Sequence, residues 1–365
     1  MFNPYDESSS SSKHGNTSNF QNIVKLKGVT FLSIIIHVKR GSVIESQHNG
    51  YIVVTDINGQ IIYHLGDPEY KTFARSSAKI LQAIPIIEET SKNNIDLSDE
   101  EIAVICSSHN GEADHVNKVK SILDKFNLSP SHLLCGEQQP LHKETREKLL
   151  RKNFKFTTLH NTCSGKHAGM LILAKLLNSP IESYLSIDHP VQQVMLNTIV
   201  EMSGAKMNEV DIAKDGCGVP VFGLSVHQLA KAYAKIGSSY SLSENRALAC
   251  KKILKAISKH PFYLAGTDRF DTHLIHVTQG RIIGKMGNEG VFALTIPTEE
   301  LGIAVKVSDG AERASYPTVV ETLSQLNLIS TYEKEKLERF HYPIIKNRRD
   351  EVVGRLEPAF KLLRA

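Results

Sequence analysis

The sequence predicts an α/β chain of the α+β kind: an antiparallel sheet built from both chain ends, with a mostly helical middle between them. Three observations carry this. Strand-like patterns crowd residues 29–64, helical periodicity dominates from Ser76 to Ser258, and strand patterns return between Leu274 and Val307.

The first strands read as Phe31–Val38, Ser42–Ser46, Gly50–Thr55 and Gln60–His64, with the Asn58-Gly59 pair marking a hairpin turn inside Asp56–Gly59. Strands this closely spaced pair antiparallel. Helical spacing follows at Ser76–Glu89, His115–Phe126, Lys143–Lys152, Ser164–Leu177, Val191–Met202, Val226–Lys235 and Glu244–Ser258. Pro85 predicts a kink in the first of these. The short apolar run Ile102–Ile105 reads as a strand, as do Leu274–Val277, Arg281–Lys285, Val291–Ile296 and Gly302–Val307. A last helix is expected at Arg313–Leu326. Residues 1–24, with five consecutive serines at Ser8–Ser12, are too poor in apolar side chains to pack and read as a disordered tail. The ordered domain is then expected over 25–343, with a polar C-terminal tail over 344–365.

Composition narrows the function classes. A chain of 365 residues buries a large core, and a net charge of +4 without a long basic block leaves no electrostatic footprint for nucleic acid. The longest apolar runs, Phe31–Val38 and Met170–Leu177, are far too short to span a membrane. The polar stretch Met1–Gln21 carries no secretory pattern, so a cytoplasmic protein is expected. Five scattered cysteines, an odd number, argue against a disulfide framework.

The densest chemical signal is Arg75-Ser76-Ser77-Ala78-Lys79 at a helix start. Ser76 and Lys79 are three residues apart and share a helix face, so a hydroxyl nucleophile and an amine base can point into the same space. An amine serves as a base near neutrality only if burial or a second cation depresses its pKa from about 10.4. Taken alone, the same four residues also describe a serine-capped helix with a solvated lysine.

A second dense stretch, Asn161–Gly169, contains Gly165-Lys166 but lacks the upstream glycine and the following hydroxyl of a phosphate loop, which excludes that reading. Cys163 and Lys166 sit at helical spacing there, and Cys217 lies in the glycine-bracketed turn Asp215–Pro220. Two thiols suit zinc, yet lysine is outside the usual zinc ligand set, so the spacing by itself favours buried inert thiols. Two polar clusters, Ser107–Glu112 and Lys285–Gly290, each follow apolar segments and are explained singly by turn chemistry.

Taken in order, these segments resemble the rhizobial-type (class 3) L-asparaginases from about Ile34 to Leu323. The match runs through His37–Gly41, Arg75–Lys79, Ser108–Glu112, Asn161–Gly169, His189–Gln192, Asp215–Pro220, His260-Pro261, Ala265–Thr267, Arg269–Thr272, Lys285–Val291 and Lys306–Gly310. The resemblance implies a fold like the serine β-lactamases and penicillin-binding proteins, and hydrolysis of L-asparagine through an acyl-enzyme. It implies two serine-lysine tandems, Ser76 with Lys79 and Ser108 with Lys285. It also makes Cys163, Lys166 and Cys217 the ligands of a zinc ion that supports substrate binding. Arg75, His167 and Asp215 are expected near the substrate, and a homodimer is implied. Ile80, Met286 and Asn288 depart from the family pattern. The competing functions are a glutaminase or β-lactamase-like hydrolase on the same scaffold, and an inactive metal- or amino-acid-binding protein.

Overall fold

A period of two decides how the central strand sits. In Val43–Asp56, Tyr51 and Val53 face one hydrophobic core while Ile52 and Val54 face another, and all four are buried. With both faces covered, the run Tyr51–Val54 shows no polar alternation. The computed structural model describes residues 33–238 and 242–365. The expected Ser-rich tail at 1–24 and the start of the catalytic domain at 25–32 lie outside the described residues.

The strands are β1 Ser33–Arg40, β2 Val43–Asp56, β3 Ile61–Leu65, β4 Lys71–Phe73, β5 Asp211–Lys214, β6 Pro220–Ser225, β7 Ile283–Gly287, β8 Val291–Ile296, β9 Leu301–Val307, β10 Ile344–Lys346, β11 Val352–Pro358 and β12 Leu363–Arg364. Nine form one sheet ordered β10-β11-β1-β2-β9-β8-β7, with β3 beside β2 and carrying β12; β4-β6-β5 form a small second sheet. Strand β2 serves two partners in series, β1 along Val43–Gly50 and β3 along Ile52–Thr55. That continuity explains why two separate strands were expected there. The Asp56–Gly59 turn closes as expected, with Asp56 Oδ1 accepting the N–H groups of Asn58 and Gln60.

The helices are α1 Lys79–Lys92, α2 Asp99–Ile105, α3 Ala113–Lys125, α4 Lys143–Arg151, α5 Ser164–Leu176, α6 Pro190–Ser203, α7 Val226–Gly237, α8 Glu244–Lys259, α9 Pro261–Ala265, α10 Phe270–Val277, α11 Glu312–Gln325, α12 Thr331–Lys336 and α13 Glu338–His341. The fold is therefore α+β, with the sheet drawn from both ends of the chain. Helices α1 and α5 are buried on nearly every face, which marks them as interior helices of the larger core. Among the described residues, no helix is long and apolar enough to cross a membrane.

Three expectations are corrected. The run Ile102–Ile105 ends helix α2, because Ser98 and Glu101 form a reciprocal capping box that starts a helix three residues earlier than the apolar run suggests. Leu274–Val277 is the end of helix α10, since a four-residue apolar run does not distinguish strand from buried helix. The expected C-terminal tail is part of the sheet: β11 pairs with β1 and β12 with β3, and Leu356 is buried. Helix α1 runs through Pro85 to Lys92.

Candidate active site

The 3-10 turn Arg75–Ala78 leads into α1 and separates the two serines that the sequence places side by side. Ser77 is fully buried and its hydroxyl donates to the Ala74 carbonyl at 2.6 Å. Ser76 instead lines a cavity of about 520 Å³ and its side chain makes no hydrogen bond with the described residues. Arg75, immediately before it, takes a left-handed backbone conformation with φ 50°. A non-glycine residue there is strained and is held by its surroundings. Strand β7 supplies part of that hold. A Cβ on Gly287 would lie 2.7 Å from the Ala74 carbonyl oxygen, so only glycine lets β7 press against the turn.

Lys79, the first residue of α1, is 1% exposed. Its Nζ donates to Ser108 Oγ at 2.8 Å, to the Ser107 carbonyl at 2.7 Å and to the Thr162 carbonyl at 3.4 Å. Ser108 lines the same cavity as Ser76. The amine expected to serve Ser76 thus rests on the hydroxyl of Ser108. Lys285, expected to serve Ser108, is fully buried on β7 and donates to Asp271 Oδ2 at 3.4 Å and to the Met286 carbonyl at 3.1 Å. Burial lowers its pKa to about 8; the Lys79 and Arg269 charges push the same way, and Asp271 opposes them.

Cys163, Lys166 and Cys217, expected as zinc ligands, lie at one corner of the cavity. Lys166 Nζ lies 3.2 Å from Cys217 Sγ and 3.9 Å from Asp215 Oδ2, and Cys163 and Cys217 both line the cavity. Contact with Cys217 holds the Cys163 thiol well below its usual range, and burial opposes this. Burial alone would lower Lys166, but the charges of Cys217, Cys163 and Asp215 outweigh it and raise the amine. The corner rests as an ammonium among sulfurs. Among the described residues, no group of three or more His, Cys, Asp or Glu side chains is placed to hold a metal ion.

Of the residues expected near substrate, Arg75 and Asp215 line the cavity and are engaged with each other, Arg75 Nε donating to Asp215 Oδ1 at 3.0 Å. His167 does not line it. The ring is buried in α5, with Nδ1 2.7 Å from the Tyr184 hydroxyl and Nε2 without a partner among the described residues. Sequence reasoning did not assign a role to Asp271, Arg269, Gln138, Asn161, Glu289 or Glu312. The first braces Lys285 and the others line the cavity. Arg269 and Asp271 do fall within a quoted segment, but nothing in its spacing marks either as functional.

Similar solved structures include Mglu in its native form at 4.3 M NaCl, 13% identical with a TM-score of 0.44, over 77% of this chain and 61% of that one. This chain therefore spans less than two thirds of Mglu. A β-lactamase from Mycobacterium bovis is 12% identical with a TM-score of 0.38 over 80% and 95% of the two chains. A class C β-lactamase from Rhodobacter sphaeroides is 12% identical with a TM-score of 0.40 over 77% and 95%. No curated protein matches the chain. The family comparison is more informative than any of these, because it spans the turn at Ser76, both buried lysines and the cysteine corner together: residues 36–358 match the family described as L-asparaginase II, and the chain belongs to that family.

Proposed function

We propose that this protein hydrolyses the side-chain amide of L-asparagine to L-aspartate and ammonia through an acyl-enzyme. The observation that carries the reading is a buried amine, Lys79, 2.8 Å from Ser108 Oγ at the wall of a cavity into which Ser76 opens. Family membership supports the reaction class. In this reading Ser76 Oγ attacks the amide carbon and its proton passes to the lysine pair, with Ser108 relaying it. The tetrahedral adduct collapses as the leaving nitrogen takes that proton and departs as ammonia. Water then attacks the ester, one of its protons passes through the same amines to Ser76 Oγ as the acyl–oxygen bond breaks, and aspartate leaves. Ser108 is the second reading for the nucleophile, because it is the hydroxyl already bonded to an amine.

The test is ammonia release by the purified protein from L-asparagine and L-glutamine, alongside a chromogenic β-lactam. Release from asparagine with the highest kcat/KM supports the proposal. Preference for glutamine reassigns the substrate, and hydrolysis of the β-lactam alone overturns it.

Lys285 sets the expected pH dependence. An amine accepts a proton only when neutral, and with a pKa of about 8 about one-tenth is neutral at pH 7. Initial rates of kcat should therefore rise with pH and level off above about 8. Asp271→Asn removes the anion that favours the charged amine, so its limb should move to lower pH. An unmoved limb in that variant would remove Lys285 from the proton path.

The donor set at the cysteine corner fits zinc. Cys217 touches both the Lys166 amine and the Cys163 thiol, and binding would displace the Lys166 proton and hold both thiols as thiolates. Cys163, Lys166 and Cys217 would hold the ion, which supplies positive charge at the cavity wall for orienting substrate. Elemental analysis should find about one zinc per wild-type chain and far less in Cys163→Ala. Equal contents would remove Cys163 from the ligand set.

A further inference from the structure

We propose that Arg269 binds the α-carboxylate of the substrate, so that the site takes a free amino acid rather than an asparagine within a peptide. This rests on the hydrolase reading above and deepens it. Two arginines line the cavity. Arg75 is committed to Asp215 at 3.0 Å, which answers its charge within the protein. Arg269 is half-buried at the start of α10 and its side chain makes no hydrogen bond or ion pair with any described residue, although its charge is felt at Lys285.

A guanidinium left unpaired in a cleft is matched to a planar anion that forms two parallel hydrogen bonds. Three carboxylates line the cavity, and none of them is paired with Arg269. Asp215 is taken by Arg75, and Glu312 accepts from the Tyr316 hydroxyl. Glu289 makes no side-chain hydrogen bond or ion pair with described residues, which leaves an open anion for the α-ammonium of the same ligand. One open cation and one open anion complement a zwitterion.

The loop that carries Arg269 is fixed to the segment that carries Ser108. Ser108 N–H donates to the Leu264 carbonyl at 3.0 Å, and Asn110 Nδ2 donates to the Thr267 carbonyl at 3.2 Å. Thr267 donates from both its N–H and its hydroxyl to the two carboxylate oxygens of Glu112, at 2.8 Å and 2.7 Å. Gly266 takes φ 114°, and a Cβ there would lie 2.2 Å from Asn110 Oδ1, so no larger residue allows the two segments this approach. The backbone that carries Arg269 is thereby fixed against the segment that carries Ser108, which a specificity residue requires.

The experiment compares L-asparagine with its α-methyl ester, which keeps the side-chain amide and lacks the carboxylate. In Arg269→Gln the ratio of the two kcat/KM values should fall about 10- to 100-fold, chiefly through KM for asparagine. Arg269→Lys, which keeps the charge without the fork, should restore part of the ratio. Calorimetry supplies a readout independent of turnover: wild type should bind L-aspartate more tightly than β-alanine, which lacks the α-carboxylate, and Arg269→Gln should lose that difference. Equal losses on both amides, or unchanged aspartate binding, would overturn the assignment. Wild type that binds no aspartate would overturn it too. If wild type binds aspartate through Arg269 yet releases no ammonia from any amide, the hydrolase reading fails and the carboxylate site stands.

Discussion

Ser76→Ala should lower kcat for L-asparagine by at least about a thousandfold, the scale at which loss of an attacking hydroxyl is felt when the rest of the site remains. The side chain is small, half-exposed to the cavity and makes no hydrogen bond with the described residues, so its loss leaves none of their buried polar groups unpaired. Folding should therefore be unchanged, and a thermal melt checks this. Acid quenching of wild type during turnover should trap an ester seen as added mass on the Ser76 peptide, absent from the variant. Ser108→Ala should retain that adduct while forming it about a hundredfold more slowly, because it removes the hydroxyl bonded to Lys79 at 2.8 Å. If the adduct instead survives in Ser76→Ala and is lost in Ser108→Ala, the nucleophile is Ser108.

Lys79→Met is the second large effect. Methionine fills a similar volume without charge, and the Ser108 hydroxyl and the Ser107 and Thr162 carbonyls lose their shared donor. The rate should fall by about 10²–10⁴-fold, in the range for removal of a positioned general base. Both alternatives have a signature in steady-state kinetics with a melt alongside. A variant that keeps more than about a tenth of wild-type kcat would show that Lys285 alone moves the proton. A variant that unfolds would show a structural requirement, and Lys79→Arg, which keeps a donor but not a neutral base, then separates the roles.

The sheet and the helical middle were legible because they rest on periodicity. The paired patterns at residues 31–64 and 291–307 fall on β1–β3 and on β8 and β9, and most expected helices agree with the observed ones to within two residues. Short apolar runs misled, since Ile102–Ile105 and Leu274–Val277 are buried helix ends whose neighbours in space, not in sequence, make them apolar. The segment 344–365 was missed because its strands pair with β1 and β3, partners some three hundred residues away that its own composition cannot announce. At the site, residue types were visible and partnerships were not. Ser76 and Lys79 share a helix start, but the amine reaches across to Ser108 on a separate segment, a contact set by how α1 and the end of α2 pack. Arg269 gave no signal because its distinguishing property is a side chain without a partner among the described residues.

The sheet's wiring also dictates an order of assembly. Strands β1 and β2 leave the ribosome early, yet β2 is completed by β9 and β1 by β11, so their edges wait while the helical middle is synthesised. Pairings this distant in sequence fold slowly, and unpaired apolar edges invite contact between chains in the interval. The buried helices that carry Ser76, Lys79 and Lys166 can collapse first, but β7, which brings Lys285 and presses Gly287 against the Ser76 turn, arrives only near the end. A growing chain is thus without Lys285 and the Gly287 contact beside the cavity until the sheet closes.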